Sequence, residues 1–153
     1  MNPFENEEDD VQSMRARRAC EEAVLAFVRA FDDGRPETML LHFAPDGVWE
    51  RADGTVAGHD GIVRMMQRRS KAMRVRHVIT NMIATLHGAD EASVKSYVTV
   101  YRHDEAVPDG KPAPLRGPAL VGEYTDELRR IDGRWRIGRK QVRAWFKAME
   151  ENK

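Results

Sequence analysis

The stretch Arg74–His103, RVRHVITNMIATLHGADEASVKSYVTVYRH, decides the fold. From Arg74 to Leu86 its residues alternate. Val75, His77, Ile79 and Asn81 share one face of a strand, while Arg74, Arg76, Val78 and Thr80 share the other. HGADE turns the chain. ASVKSYVTVYRH then gives a second long strand, rich in β-branched and aromatic residues. Downstream, DEAVPDGKPAPLRGP carries four of the seven prolines and reads as a loop. ALVGEYTDELRRI and RWRIGRKQVRAWF follow as two more strands, joined around Asp132-Gly133.

Upstream the period changes. Cys20, Ala23, Val24, Phe27, Val28 and Phe31 recur at three- and four-residue steps, which predicts a helix over about 11–31. DDG at 32–34 ends it, with Gly34 as cap. Pro36 opens a short second helix, and APDG at 44–47 is a turn. VWER, ADGT and VAG read as a hairpin with Asp53-Gly54 at its turn. Asp60 is placed to cap a third helix over about 61–72. Helices gathered before an antiparallel meander define an α+β layer, with the helices on one sheet face.

The chain has 153 residues, which suits one domain. The expected division is an acidic leader at 1–10, a domain over 11–146 and a tail at 147–153. Hydrophobic residues are 41%, enough for a core, and 25 basic residues balance 25 acidic ones. Zero net charge provides no global drive toward nucleic acid or an anionic membrane. One cysteine, Cys20, excludes an internal disulfide, and its place on the apolar stripe reads as an inert buried thiol. The acidic start lacks an apolar signal core, and no run is long enough to span a bilayer. A soluble, cytoplasmic homodimer or homotrimer is expected, without nucleic-acid or membrane partners. His42, His59, His87 and His103 are scattered, with no HExxH or Cys/His cluster, so neither a metal nor a cofactor is expected.

Three residues carry candidate chemistry. A lone strand histidine such as His77 is more often a hydrogen-bonded core or surface residue than a catalyst. Asp32 raises its interest. Four-residue steps link Val24, Val28 and Asp32, which turns the carboxylate toward the core, where it needs a partner. A histidine on the facing sheet is a suitable one. His77 would then be a general base and Asp32 its orienter. A solvent-exposed carboxylate at a frayed helix end is the competing reading. Arg139 shares an alternating face with Trp135 and Ile137, so it is placed either in the cavity, stabilising negative charge, or at the surface beyond the core. Asn81 lies about 13 Å along the strand from His77 at ~3.3 Å per residue. It closes one end of a pocket or satisfies a bend. Phe31, Trp49, Val98 and Tyr124 are assigned to the substrate wall.

AFDDGRPETMLLHFAPDGVWE, RHVITNMIATLHGADEASVKSYVTV and GEYTDELRRIDGRWRIGRKQV, in that order and spacing, resemble the SnoaL-like branch of the NTF2-like superfamily. That group includes scytalone dehydratase, bile acid dehydratase, lindane dehydrochlorinase and polyketide cyclases. The resemblance covers about 11–143. It implies a cone: a strongly curved antiparallel sheet around a deep pocket that the N-terminal helices close. It also implies an aspartate at the end of the first helix paired with a histidine on the first long strand, the positions of Asp32 and His77. Arg139 fits an arginine that some members use on the last strand, and Asn81 an asparagine often found after the histidine. The sequence departs at Phe31, where dehydratases of this type often carry tyrosine. The expected function is a cofactor-independent lyase or isomerase acting on a hydrophobic cyclic small molecule by His–Asp acid–base catalysis. The alternative is a non-catalytic ligand-binding or accessory subunit.

Overall fold

A computed structural model describes residues 11–149. The acidic leader and the last four residues of the expected tail lie outside that range. Helix α1 (Val11–Asp32) is followed by α2 (Pro36–Leu41), β1 (Phe43–Arg51), β2 (Gly54–Ala57) and α3 (Gly58–Arg68). Strands β3 (Arg74–Leu86), β4 (Glu91–His103), β5 (Leu120–Ile131) and β6 (Arg134–Lys147) complete the order. The six strands form one curved, unclosed sheet in the order β2-β1-β6-β5-β4-β3. The four long strands pair antiparallel, as expected. β1 joins β6 in parallel, a pairing with no local sequence signal.

The apolar stripe of α1 is buried against β3, β4 and β6. Cys20 is fully covered, and burial, reinforced by the nearby Glu21 carboxylate, pushes its thiol up to about 12. An aromatic chain runs from this core toward the sheet. Phe27 stacks on Phe43 at 5.4 Å and meets the edge of Trp49 at 5.3 Å. Trp49 meets Phe31 at 5.5 Å, and Phe31 meets the His77 ring at 5.6 Å. Such pairs each add about 0.5–1.5 kcal/mol to the burial of the rings.

Several boundaries differ from the sequence reading. The stretch read as a turn at 44–47 lies inside β1, whose register on β6 shifts between Phe43 and Val48. Its exposed residues, Pro45 and Asp46, sit within that shift. The β1–β2 turn falls on Ala52-Asp53, because Arg51 pairs with Gly54. α3 begins at Gly58 rather than Gly61 and ends at Arg68 rather than Ala72. Asp60 therefore falls in its first turn instead of capping it. β6 continues through Lys147, one residue into the expected tail.

Two strand irregularities decide which side chains face inward. In β3, Thr80 pairs with Tyr97 but Ile83 pairs with Lys95, so Asn81 and Met82 together oppose Ser96. Asn81 adopts φ 53°, a left-handed conformation that asparagine tolerates better than most residues. In β6, Ile137 pairs with Leu128 and Arg139 with Glu127, which leaves Gly138 as the extra residue. A bulge of this kind reverses the inward-outward alternation beyond it.

Candidate active site

α1 ends on Asp32, and β3 is the sheet edge beneath it. The ladder to β4 uses only one side of β3, so half of its backbone groups need other partners. Asp32 satisfies one of them. Its Oδ2 accepts the backbone N–H of His77 at 2.8 Å, and its Oδ1 accepts Nδ1 of the same residue at 2.6 Å. Both side chains are nearly inaccessible, 3% for Asp32 and 9% for His77. The second contact assigns the proton of a neutral imidazole to Nδ1. The lone pair is then on Nε2, which has no partner among the described residues.

The C-terminal carbonyls of α1 are held as well. Arg69 donates to the carbonyl oxygens of Phe31 and Asp32, the latter at 3.0 Å. Its guanidinium lies 5.0 Å from the Phe31 ring centre. Cationic donors suit the carbonyl end of a helix. Asp33, one residue on, turns outward to Arg29 and Arg76.

His77 opens onto a cavity of about 660 Å³. Phe31, Trp49 and Tyr124 line it, as the sequence reading expected, together with Val75, Val100 and Val142. Tyr124 lies almost parallel to His77, with ring centres 6.5 Å apart. Its hydroxyl makes no hydrogen bond to a described residue. Burial, aided by the Asp126 carboxylate, pushes its ionisation well above the usual phenol range. The group therefore remains a neutral donor. The buried Trp49 indole N–H also lacks a partner among the described residues.

Three assigned residues lie elsewhere. Val98 is fully buried in the core and does not reach the cavity wall. Asn81 is exposed, because the β3 bulge turns it off the His77 face and Met82 takes the inward position. Arg139 is corrected for the same reason. The Gly138 bulge turns it to the surface, where it donates to Glu50 at 3.0 Å.

Lys140 occupies the inward position instead. Its ammonium group is wholly buried and contacts both oxygens of Asp126, its register partner on β5, at 3.0 and 3.2 Å. It also lies 3.7 Å from the Tyr124 ring centre. Burial pushes the Asp126 carboxyl up and the Lys140 ammonium down, while each partner opposes the shift of the other. The sequence reading missed this pair. Alternation of Tyr124, Asp126 and Leu128 carried the signal for the acid, and the isolated Gly138 carried the signal for the lysine. Among the described residues, no group of three or more His, Cys, Asp or Glu side chains is disposed to hold a metal. No described helix is long and apolar enough to cross a membrane.

The fold sits in a known class. The chain belongs to the SnoaL-like domain family, whose pattern matches residues 12–141, within the NTF2-like superfamily. A candidate scytalone dehydratase from Novosphingobium aromaticivorans has a similar structure, with TM-score 0.75 and 21% identity. That match covers 93% of this chain and 92% of the other. A hexachlorocyclohexane dehydrochlorinase, LinA type 2, gives 0.74 at 18% identity over 92% of each chain. A ketosteroid isomerase-like protein from Erwinia carotovora atroseptica gives 0.64 at 17%, covering 85% of this chain and 96% of that one. At such identities the likeness establishes a shared fold. Comparison with curated proteins finds no significant match.

Proposed function

We propose that the protein is a cofactor-independent lyase or isomerase acting on a small, largely apolar cyclic molecule, with His77 as general base. The contact of Asp32 with Nδ1 carries this reading, because it leaves the basic Nε2 available beside an open cavity. In the elimination reading, Nε2 takes a proton from the carbon next to a carbonyl or to the carbon bearing the leaving group. The C–H electron pair becomes the new double bond, and the leaving group departs with its own bonding pair. Asp32 fixes the tautomer and offsets the charge of the imidazolium that forms. The neutral Tyr124 hydroxyl, which no described residue engages, is the donor for a carbonyl or departing oxygen. Relatives described as dehydratase, dehydrochlorinase and isomerase-like support this reaction class. The volume suits a single small-molecule ligand, since such sites usually span about 300–1,000 Å³.

The test is a turnover screen of cyclic hydroxy-ketones and cyclic halides, both neutral and carboxylate-bearing, with wild-type protein, followed by His77→Ala and Asp32→Asn. The expected result is turnover of at least one compound, reduced about 10²–10⁴-fold in His77→Ala with circular dichroism unchanged. Asp32→Asn is expected to lose activity through the wrong tautomer. Turnover that survives His77→Ala would remove the histidine from the chemistry. Tight binding without turnover would favour a ligand-binding protein.

A further inference from the structure

The cavity mouth carries charge that acid–base work at His77 does not use. Its lining includes Arg51, Arg68, Arg69, Arg102 and Lys147, against one carboxylate, Asp53. This excess stands out in a chain whose formal net charge is zero. Two of the cations converge on the dyad. The guanidinium carbons of Arg51 and Arg69 lie 5.7 and 5.0 Å from the centre of the same Phe31 ring, which meets the His77 ring at 5.6 Å.

Their existing partners hold them in place without neutralising them. Arg51 rests 4.9 Å from the Trp49 ring centre, and its Nε is 3.2 Å from Asp53. The Asp53 side chain is 72% exposed, and a surface pair of that kind contributes only about 0–1 kcal/mol. Arg69 donates to two neutral carbonyls. Asp32, beside it, has both oxygens committed to His77, and Asp33 is shared by Arg29 and Arg76. Burial pushes the Arg69 guanidinium down from its ordinary range, opposed by Asp32, and the cations Arg76 and Arg102 add to the downward push. Arg68 and Lys147 make no ion pair with a described residue. A neutral ligand entering here would dehydrate guanidinium groups and return no charge to them, which is costly. An anionic oxygen group would pair with them in forked geometry.

We infer that the ligand of this cavity is an organic anion: an apolar ring system bearing a carboxylate or phosphate, with the charged group held at the mouth by Arg51 and Arg69. Arg68 and Lys147 supply the attracting field; Arg102, the remaining cation of the lining, is already paired with Asp104 at 2.7 Å. Seating the charge beside Phe31 directs the apolar body inward past His77, so the same contact orients the reacting carbon. This inference adds the substrate class to the function proposed above and rests on that reading for the identity of the site.

Titration calorimetry on the whole chain with 2-naphthoate, 2-naphthyl phosphate and 2-naphthamide tests it without requiring turnover. One or both anions should bind at least about tenfold more tightly than the amide. Raising the salt concentration should reduce that preference. Arg51→Gln and, at the exposed position, Arg68→Gln should each reduce it, with melting temperatures reporting that the fold is kept. The stronger anion identifies the charged group. His77→Ala should retain the preference, so failure of the base and failure of the anion site are read separately. Equal affinity for all three compounds, no binding by any, or a preference unchanged in the Arg51→Gln, Arg68→Gln double variant would overturn the inference.

Discussion

Asp126 and Lys140 bury opposite charges completely, directly beneath the Tyr124 ring. Dehydrating two ions is expensive, and their mutual attraction returns most of the cost only while both are present. Lys140→Met should therefore lose about 3–5 kcal/mol in urea unfolding, because it strands the Asp126 carboxylate. Adding Asp126→Leu should restore most of that loss. Additive losses in the double variant would show that the two groups are not coupled. Asp32 acts differently, joining a helix end to a sheet edge through one backbone N–H and one imidazole. Its inward direction was legible from Val24 and Val28, four residues apart on the same stripe. The partner was legible from the strand pattern around His77. The inward place of Lys140 was not, because simple alternation from Trp135 and Ile137 arrives at Arg139.

At the scale of elements, two bulges redirect the strands, and each occupies a residue suited to it. Asn81 accepts the positive φ that most side chains resist. Asn81→Gly should retain stability and any activity, whereas Asn81→Val should cost about 1–2 kcal/mol through left-handed strain. Chemical denaturation measures the first effect. Loss of ligand binding in a stable Asn81→Gly would return this residue to the pocket. Gly122 is constrained by contact rather than by φ: an added Cβ would meet the Arg143 carbonyl oxygen at 2.5 Å on the neighbouring strand. That close approach adjoins the register shift between Val121 and Gly122. The lengths of the four long strands and their connections were legible, since alternation and turn residues are local signals. The bulges were not, because one additional residue leaves the composition of a strand unchanged.

At the scale of the molecule, α2 meets the sheet at His42, whose side chain titrates. His42 ends α2, and its carbonyl accepts the backbone N–H of Ile137 in β6 at 2.8 Å. Burial, then the cations Arg134 and Arg136, lower its ionisation from the ordinary 6.5. The folded state therefore favours neutral His42, and the unfolded chain binds the proton more readily. The contribution is fully present above about 6.5 and is lost as pH falls from there through the lowered value. Thermal melts should show stability declining over that interval, and His42→Gln should flatten the decline. An unchanged pH profile in the variant would assign the decline to other groups. The sequence by itself determined the layer order, the apolar stripe of α1 and the meander of long strands, and it offered Asp32 and His77 as candidates whose pairing the family resemblance implied. Those features depend on periodicity and on neighbours within one element. Tertiary structure alone decided that β1 joins β6 in parallel, that Arg139 faces outward and Lys140 inward, and that Arg51 and Arg69 meet at one aromatic ring. Each depends on register and curvature among residues distant in the chain, where a shift of one position exchanges the two faces of a strand.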